Sequence, residues 1–141
     1  MVQFAPVEKA IPYIRMFYNE LKVDADPCIT DVLCLDGCLW AECLIDGANC
    51  GGFILIRRPD GYEAMTLLVP PARGKAAVQL GREGVALFRR THPGVRLLVT
   101  TYSHMRAAQL FITAVGFHRA KSVNEGDTRD GQPCNAIYYN E

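Results

Sequence analysis

The stretch Thr66-Leu-Leu-Val-Pro-Pro-Ala-Arg-Gly-Lys-Ala-Ala77 decides how the rest of this 141-residue chain is interpreted. A strand runs into a short loop that holds Arg73, Gly74 and Lys75, and a helix begins at once. Such a loop directs free backbone N–H groups and the positive end of a helix dipole at one place. The stretch therefore predicts a strand–loop–helix unit that binds a phosphate group.

Two familiar phosphate-binding patterns are absent from this loop. A Walker A loop needs a glycine five residues before Gly74 and a Ser or Thr after Lys75, and the sequence has neither. No G-x-G-x-x-G fingerprint occurs either. An ordinary solvated helix start is the alternative interpretation. The order of the surrounding strands and helices is needed to distinguish it from a phosphate-binding loop.

The residues before the loop predict strands and helices in a defined order. We expect a first strand at residues 2–7, a helix at 9–21 from its apolar spacing, and a second short helix at 27–35. Turn signals such as Asp46-Gly47 then separate three strands that form an antiparallel meander. These strands are predicted at residues 38–45, 50–57 and 62–69.

The residues after the loop predict a helix at 74–90 and a strand at 95–101. Ser103 is expected to cap a helix that runs through Val115 and stops at Gly116. A strand at 117–123, a polar turn at 125–132 and a last strand at 135–139 complete the chain. We therefore expect a single α+β domain over residues 1–141.

The formal net charge of zero hides a segregation of charge along the chain. Residues 57–121 hold 11 basic and 3 acidic residues, whereas residues 1–56 hold 3 basic and 8 acidic ones. A basic middle in a neutral domain favours a local anionic ligand over a nucleic acid. A solvated charged surface is the alternative.

Composition also limits the cellular setting. No apolar run approaches the roughly 18 residues of a membrane span, and the first residues lack a signal-peptide pattern, so we expect a cytoplasmic protein. The six cysteines are then expected to be free thiols, mostly buried. A zinc site at Cys34, Cys38, Cys43 and Cys50 is the alternative, which the absence of a C-x2-C pair disfavours. No metal site is predicted.

The order of elements around the loop resembles that of the GNAT superfamily of N-acetyltransferases, most clearly from Gly52 to Ala120. In that family a Gln/Arg-x-x-Gly-x-Gly/Ala loop binds the pyrophosphate of acetyl-coenzyme A, and it corresponds here to residues 71–76. Pro71 stands where the family has Gln or Arg, and Arg73 supplies basic character. The resemblance implies a central mixed, mostly antiparallel sheet flanked by helices. It also implies acetyl-coenzyme A contacts from Leu67, Leu68, Val69, Arg73, Gly74, Lys75 and Ala76.

A second family motif, Asn-x-x-Ala-x-x-(Phe/Leu)-Tyr-x-x-x-Gly-Phe, corresponds to residues 105–117. Ala108 and Phe111 match it, together with Gly116-Phe117. Met105 replaces the coenzyme-contacting Asn, and Ile112 replaces the Tyr that often protonates the leaving thiolate. The motif implies coenzyme contacts from Met105, Ala108 and Phe111, while the two replacements favour loss of the chemistry.

A narrower resemblance joins residues 48–52 and residues 103–106 to the acetyltransferase-like proteins of tailed bacteriophages. Some members of that group are internal virion proteins of short-tailed phages. This resemblance implies a location in the host cytoplasm or the virion. It also supplies the alternative function, a catalytically degenerate protein that keeps the fold for a structural or partner-binding role.

Acetyl transfer to an amine needs a base, an oxyanion donor and an acid for the thiolate. Glu63, on the strand before the loop, is the candidate base by similarity to some family members, and a solvent-facing carboxylate is the alternative. His104 titrates near neutral pH and is a candidate base or acid. Tyr102 is a candidate for the missing tyrosine, with a core-edge role as the alternative.

The resemblance implies an acetyl-coenzyme A-dependent N-acetyltransferase that acts on a primary amine. The acceptor is a small molecule, a protein lysine or a protein N-terminus, and the acidic residues 1–56 suit a cationic amine. No membrane partner is expected. A homodimer is the alternative to burial of Phe53-Ile-Leu-Ile56 within the domain.

Overall fold

A computed structural model describes residues 1–21, 37–103, 105–127 and 133–141. The helix predicted at residues 27–35 lies outside these ranges, as does His104. Seven strands form one sheet in the order β1-β2-β3-β4-β5-β7-β6. They are β1 (Val2–Ala5), β2 (Leu39–Ile45), β3 (Ala48–Arg58), β4 (Gly61–Leu68), β5 (Leu97–Tyr102), β6 (His118–Asp127) and β7 (Pro133–Asn140).

The sheet is mixed and mostly antiparallel, as the resemblance implies. β2, β3 and β4 form the predicted meander, and β7 pairs antiparallel with both β5 and β6. Only the β4–β5 pair among the described strands is parallel. A parallel pair needs a crossover, which the helix after the Arg73-Gly-Lys75 loop provides.

The described helices lie on both faces of the sheet. They are α1 (Ile11–Leu21), α2 (Lys75–Thr91) and α3 (Arg106–Val115). Ile14 of α1 packs against Trp40 and Ile54 on one face of the sheet. We call this face the α1 face. Leu80 of α2 packs on the opposite face against Phe53. The fold is therefore α+β, as predicted.

The apolar run at residues 53–56 is buried within the chain itself. Phe53, Ile54, Leu55 and Ile56 are each at most 7% exposed, because β3 is a central strand covered by helices on both faces. Central strands buried on both faces read as continuous apolar runs rather than as alternating ones. The run is therefore not available for a dimer interface.

Two local predictions are wrong. Ser103 does not cap α3, whose N-cap position is Met105 and has no side-chain hydrogen bond. The Ser103 hydroxyl instead accepts a hydrogen bond from the backbone N–H of Asn135, at 3.0 Å. Residues 125–127, predicted as turn, belong to β6, because β7 pairs with this segment as far as Asp127 and Pro133.

No helix within the described ranges is long and apolar enough to span a membrane.

Candidate functional site

The parallel strands β4 and β5 separate halfway along their length. They are in register only from Tyr62 to Ala64, which lie opposite Leu97 to Val99. Beyond this point β4 remains paired with β3, and β5 remains paired with β7. The two strands therefore diverge and leave a wedge-shaped gap, here called the cleft, between residues 65–68 and residues 100–102.

The β4 side of the cleft presents backbone groups of alternate residues that have no partner in β5. The Val69 N–H donates to Cys50 O of the β3 segment, at 3.0 Å, whereas the Tyr62 N–H donates to Arg96 O at the start of β5, at 2.9 Å. Because backbone groups alternate in direction along a strand, Thr66 and Leu68 direct their N–H and C=O groups toward β5. Beyond Ala64 that side of β4 faces the cleft.

This alternation determines which of the residues predicted to contact the coenzyme turn their backbone groups toward the cleft and which turn them toward β3. Leu68 faces the cleft with its backbone, whereas Leu67 and Val69 turn their backbone groups toward β3. Thr66 faces the cleft and was not predicted. The sequence signal located the strand end, but the side to which each amide points depends on the register with β3, which only the fold defines.

The predicted phosphate loop follows the cleft directly. Residues Pro70–Ala72 form a single 3₁₀ turn, within which the Arg73 N–H donates to Pro70 O at 3.1 Å. Gly74 then adopts φ +92° and ψ −136°, a conformation that essentially only glycine tolerates, and α2 begins at Lys75. The loop and helix start lie where the sequence predicted them.

The start of α2 has the properties of an anion site. The first helical hydrogen bond joins the Val78 N–H to Gly74 O, at 3.3 Å, so the N–H groups of Lys75, Ala76 and Ala77 have no partner within the helix. The first turn holds no acidic residue. Helix N-termini of this kind attract phosphate. The Arg73 N–H, used inside the loop, is not part of this set.

Two cations stand at the same end of the cleft. Arg73 donates from Nε to the carbonyl oxygen of Leu68, at 3.1 Å, which places its guanidinium over the end of β4. Lys75 is exposed at the first position of α2. Both predicted basic residues thus lie beside the helix N-terminus.

The β5 side of the cleft leads into α3. Gln109, which the sequence analysis missed, donates from Nε2 to the carbonyls of Tyr102 and Ser103, at 3.0 and 3.1 Å. Met105 lies at the N-terminus of α3, with its sulfur 3.9 Å from Thr101 Oγ1. Ala108 is half-buried one turn further along the helix.

Phe111 and Ile112 lie deeper in the helix. Phe111 is half-buried and packs against the apolar clusters on the α2 and α3 side of the sheet. Ile112 is 5% exposed and packs with Leu55 and Phe88. The position at which the family has its tyrosine is therefore an apolar core position here.

The candidate catalytic residues do not meet in one place. Glu63 lies beside Leu98 in the closed part of the β4–β5 pair, where Arg58 holds its carboxylate at 2.6 Å. Tyr102 is 38% exposed at the far end of β5. Four residues of strand separate Leu98 from Tyr102, or roughly 13 Å. Glu63 therefore lies beyond the closed end of the cleft, and Tyr102 lies at its open end.

A polar network on the α1 face was missed by the sequence analysis. Glu42 is 5% exposed and accepts a hydrogen bond from the side-chain amide of Asn49. The Asn49 side-chain oxygen accepts hydrogen bonds from the Tyr13 hydroxyl, at 2.9 Å, and from the Gly51 N–H, at 3.0 Å. Burial, with Cys50 and Glu42 nearby, raises the pKa of Tyr13 above its ordinary value.

The network lies at the level of the cleft. Glu42 is in register with Gly52, and Gly52 with Leu67 near the end of β4. A glutamate inside the otherwise apolar strand Leu39–Ile45 is the signal that could have identified it, because carboxylates are rarely buried without a reason.

Cys38, Cys43 and Cys50 are free thiols. Cys43 and Cys50 are buried, and the Cys50 thiol donates to Cys43 O at 3.3 Å. Burial raises the pKa of Cys43 to about 12 and raises that of Cys50 as well. Neither is a thiolate nucleophile at neutral pH. Within the described ranges no three His, Cys, Asp or Glu side chains are grouped to hold a metal ion.

Comparison with known proteins finds similarity at the level of structure. No protein-family model matches the chain, and no curated protein does. The protein smu.2055 from Streptococcus mutans UA159 superposes with a TM-score of 0.74 at 14% identity, over 100% of this chain and 98% of that one.

Two further solved structures have titles that state an activity or a family. An acetyltransferase of the GNAT family from Streptococcus pneumoniae gives a TM-score of 0.66 at 12% identity, over 100% and 98% of the two chains. A variant of the spermidine N-acetyltransferase SpeG from Vibrio cholerae gives 0.65 at 12%, over 99% and 94%. The chain therefore has the fold of the GNAT acetyltransferases.

Proposed function

We propose that this chain is an N-acetyltransferase that transfers the acetyl group of acetyl-coenzyme A to a primary amine. The observation that supports this most strongly is the cleft between β4 and β5, which opens directly onto the N-terminus of α2. One end of the cleft offers strand amides, and the other offers a helix dipole with two cations. An elongated ligand with amides at one end and phosphates at the other suits this arrangement.

The residues present fit that ligand. The N–H groups of Lys75, Ala76 and Ala77 bind the pyrophosphate, with the Arg73 and Lys75 side chains beside it. The Leu68 N–H and the Thr66 carbonyl pair with the amides of the pantetheine arm, which takes the place of a strand between β4 and β5, while the Leu68 carbonyl accepts from Arg73. The position of Gly74 keeps the loop free of a side chain where the phosphates approach.

The reaction is direct transfer from sulfur to nitrogen. The neutral amine attacks the thioester carbonyl, a C–N bond forms, the C–S bond breaks, and the thiolate takes up a proton. The Thr66 N–H points into the cleft and stabilises the developing oxyanion. The ammonium proton passes through water to a base, for which Glu63 and His104 remain the candidates, because Glu63 lies roughly 13 Å along the strands from Tyr102. Tyr102 protonates the thiolate, and the second proton lost by the attacking nitrogen restores the Tyr102 hydroxyl.

The acceptor binds on the α1 face. Glu42 provides a buried carboxylate at the level of the cleft, and Asn49 and Tyr13 link it to the surface. A carboxylate in this setting favours a cationic acceptor, because an ammonium group compensates the cost of its burial. The acceptor is therefore a primary amine, whether of a small molecule or of a protein.

The test is release of free thiol from acetyl-coenzyme A in the presence of an amine panel that includes polyamines and lysine peptides. We expect turnover with at least one amine. Glu63→Gln should lower kcat by roughly 100-fold if Glu63 is the base, and Tyr102→Phe should lower it with little change in KM. Glu8→Gln is the control, because Glu8 is exposed and lies in the segment before α1.

The outcomes separate two functions. Binding of acetyl-coenzyme A without turnover of any amine would support the alternative, a protein that keeps the fold and has lost the chemistry. Ile112 at the tyrosine position and Met105 at the asparagine position are the residues that give this alternative its basis.

A further inference from the structure

An apolar cavity of about 50 Å³ lies between the sheet and the helices α2 and α3. Thr66 contributes the single polar side chain among the residues that line it, so the cavity offers almost nothing to which water can hydrogen-bond. Apolar cavities of this kind stay dry and bind apolar groups. The cavity therefore suits a hydrocarbon ligand.

The cavity adjoins the closed end of the cleft. Ala64, the last residue of β4 paired with β5, lines it together with Thr66 and Val99. The phosphate loop lies at the other end of the cleft, and five residues of strand, roughly 16 Å, separate Val69 from Ala64. A ligand that enters beside the loop and follows the cleft reaches the cavity with the end farthest from its phosphates.

Two features of the sequence keep this space open. Gly84 of α2 faces it without a side chain, and a Cβ atom there would lie 3.3 Å from the Phe53 ring. Ile112 lines it at the position where the family has a tyrosine. The half-buried side chains of Val99 and Phe111 complete an apolar wall.

We propose that the cavity binds the alkyl part of a short-chain acyl group, so that the preferred donor is an acyl-coenzyme A longer than acetyl-coenzyme A. This inference rests on the proposed function. A water-sized group occupies about 10–15 Å³, so a cavity of about 50 Å³ holds roughly four such groups and favours a chain of about butyryl length. Longer straight chains exceed the space.

The expected preference follows from burial of methylene groups. Each buried methylene tightens binding about fourfold, so butyryl-coenzyme A should bind roughly 15-fold more tightly than acetyl-coenzyme A. The increase in affinity with chain length should end near butyryl, so decanoyl-coenzyme A should bind no more tightly than butyryl-coenzyme A. A site shaped for acetyl alone would show the opposite order.

The experiment is calorimetric titration of the full chain with coenzyme A and its acetyl, butyryl and decanoyl thioesters. Ala64→Val fills part of the cavity from the strand, and its butyryl-to-acetyl affinity ratio should fall toward one. Val99→Ile fills the same space with one added methylene and serves if Ala64→Val does not fold. Ala48→Val makes the matched change on an exposed strand position outside the cavity, and its ratio should equal that of the natural sequence.

Each result supports or overturns one proposal. A butyryl-to-acetyl ratio near one in the natural sequence, or a high ratio retained in folded Ala64→Val and Val99→Ile, overturns the acyl-chain assignment while leaving the coenzyme site intact. Failure of all four ligands to bind overturns the proposed function itself. A ratio near 15 that both filling variants reduce supports the assignment.

Discussion

Gly51 of β3 packs against the end of β4 that borders the cleft, and its replacement by alanine tests whether this close packing positions the cleft. Gly51 has φ +100° in β3 and is in register with Leu68 of β4. A Cβ atom at this position would overlap the carbonyl oxygen of Leu67 and lie 3.1 Å from the Cα atom of Leu68. Gly51→Ala therefore has to push the end of β4 away from β3.

The loss in free energy of unfolding expected for Gly51→Ala has two parts, a backbone part and a packing part. A positive φ costs an alanine about 1–2 kcal/mol in any setting. Gly47→Ala measures this backbone cost without any packing cost, because Gly47 has φ +77° and nothing lies within 4 Å of an added Cβ. At Gly51 the strand pair must also open, which adds about 1–3 kcal/mol of packing strain and puts at risk the hydrogen bond from Val69 to Cys50.

The assay is urea unfolding of Gly51→Ala and Gly47→Ala beside the natural sequence. We expect Gly47→Ala to lower the free energy of unfolding by about 1–2 kcal/mol and Gly51→Ala to lower it by about 2–5 kcal/mol. Because the end of β4 moves, Gly51→Ala should also weaken acetyl-coenzyme A binding, while Gly47→Ala should not. Equal destabilisation by the two variants would refute the reasoning.

Three further predictions concern buried and paired groups. Because burial raises the pKa of Cys43 to about 12, the folded chain keeps a proton that the unfolded thiol loses near pH 9. Urea unfolding should therefore show a stability loss of up to about 4 kcal/mol between pH 9 and 12 from Cys43, and the loss should be smaller in Cys43→Ala, where Cys50 and Tyr13 keep their raised pKa values. Asn49→Ala leaves the Glu42 carboxylate without its amide donor, and urea unfolding should show a loss of about 1–3 kcal/mol. Glu63→Gln breaks a partly exposed ion pair with Arg58, so its effect on unfolding should stay below about 1 kcal/mol, and a larger loss would mean a structural role.

The elements of the fold were predictable where local signals define them. Asp46-Gly47 forms the turn between β2 and β3, Pro59-Asp60 forms the turn between β3 and β4, and Arg73-Gly-Lys75 marks the start of α2 as expected. The predicted strand and helix ends differ from the observed ones by a few residues. These signals depend on backbone preferences of neighbouring residues, which sequence alone contains.

The features that were predicted wrongly or missed depend on contacts between residues distant in sequence. Ser103 has the right chemistry for a helix cap, but Asn135, 32 residues later, takes its hydroxyl as an acceptor. The direction of the Thr66 amide follows from the register of β4 with β3. Burial of Glu42 follows from the position of β2 between β1 and β3. Neighbouring residues do not encode these pairings, although a glutamate inside the apolar strand Leu39–Ile45 marks Glu42 as unusual.

The most direct test of the account is whether acetyl-coenzyme A binds at the start of α2. Calorimetric titration should show binding to the natural sequence and to Gly94→Glu, because Gly94 is an open glycine with positive φ outside the phosphate loop. Gly74→Glu should weaken binding at least tenfold, since it places a carboxylate and a strained backbone beside the Lys75 N–H. Absence of binding up to millimolar ligand, or undiminished binding by Gly74→Glu, would contradict the account.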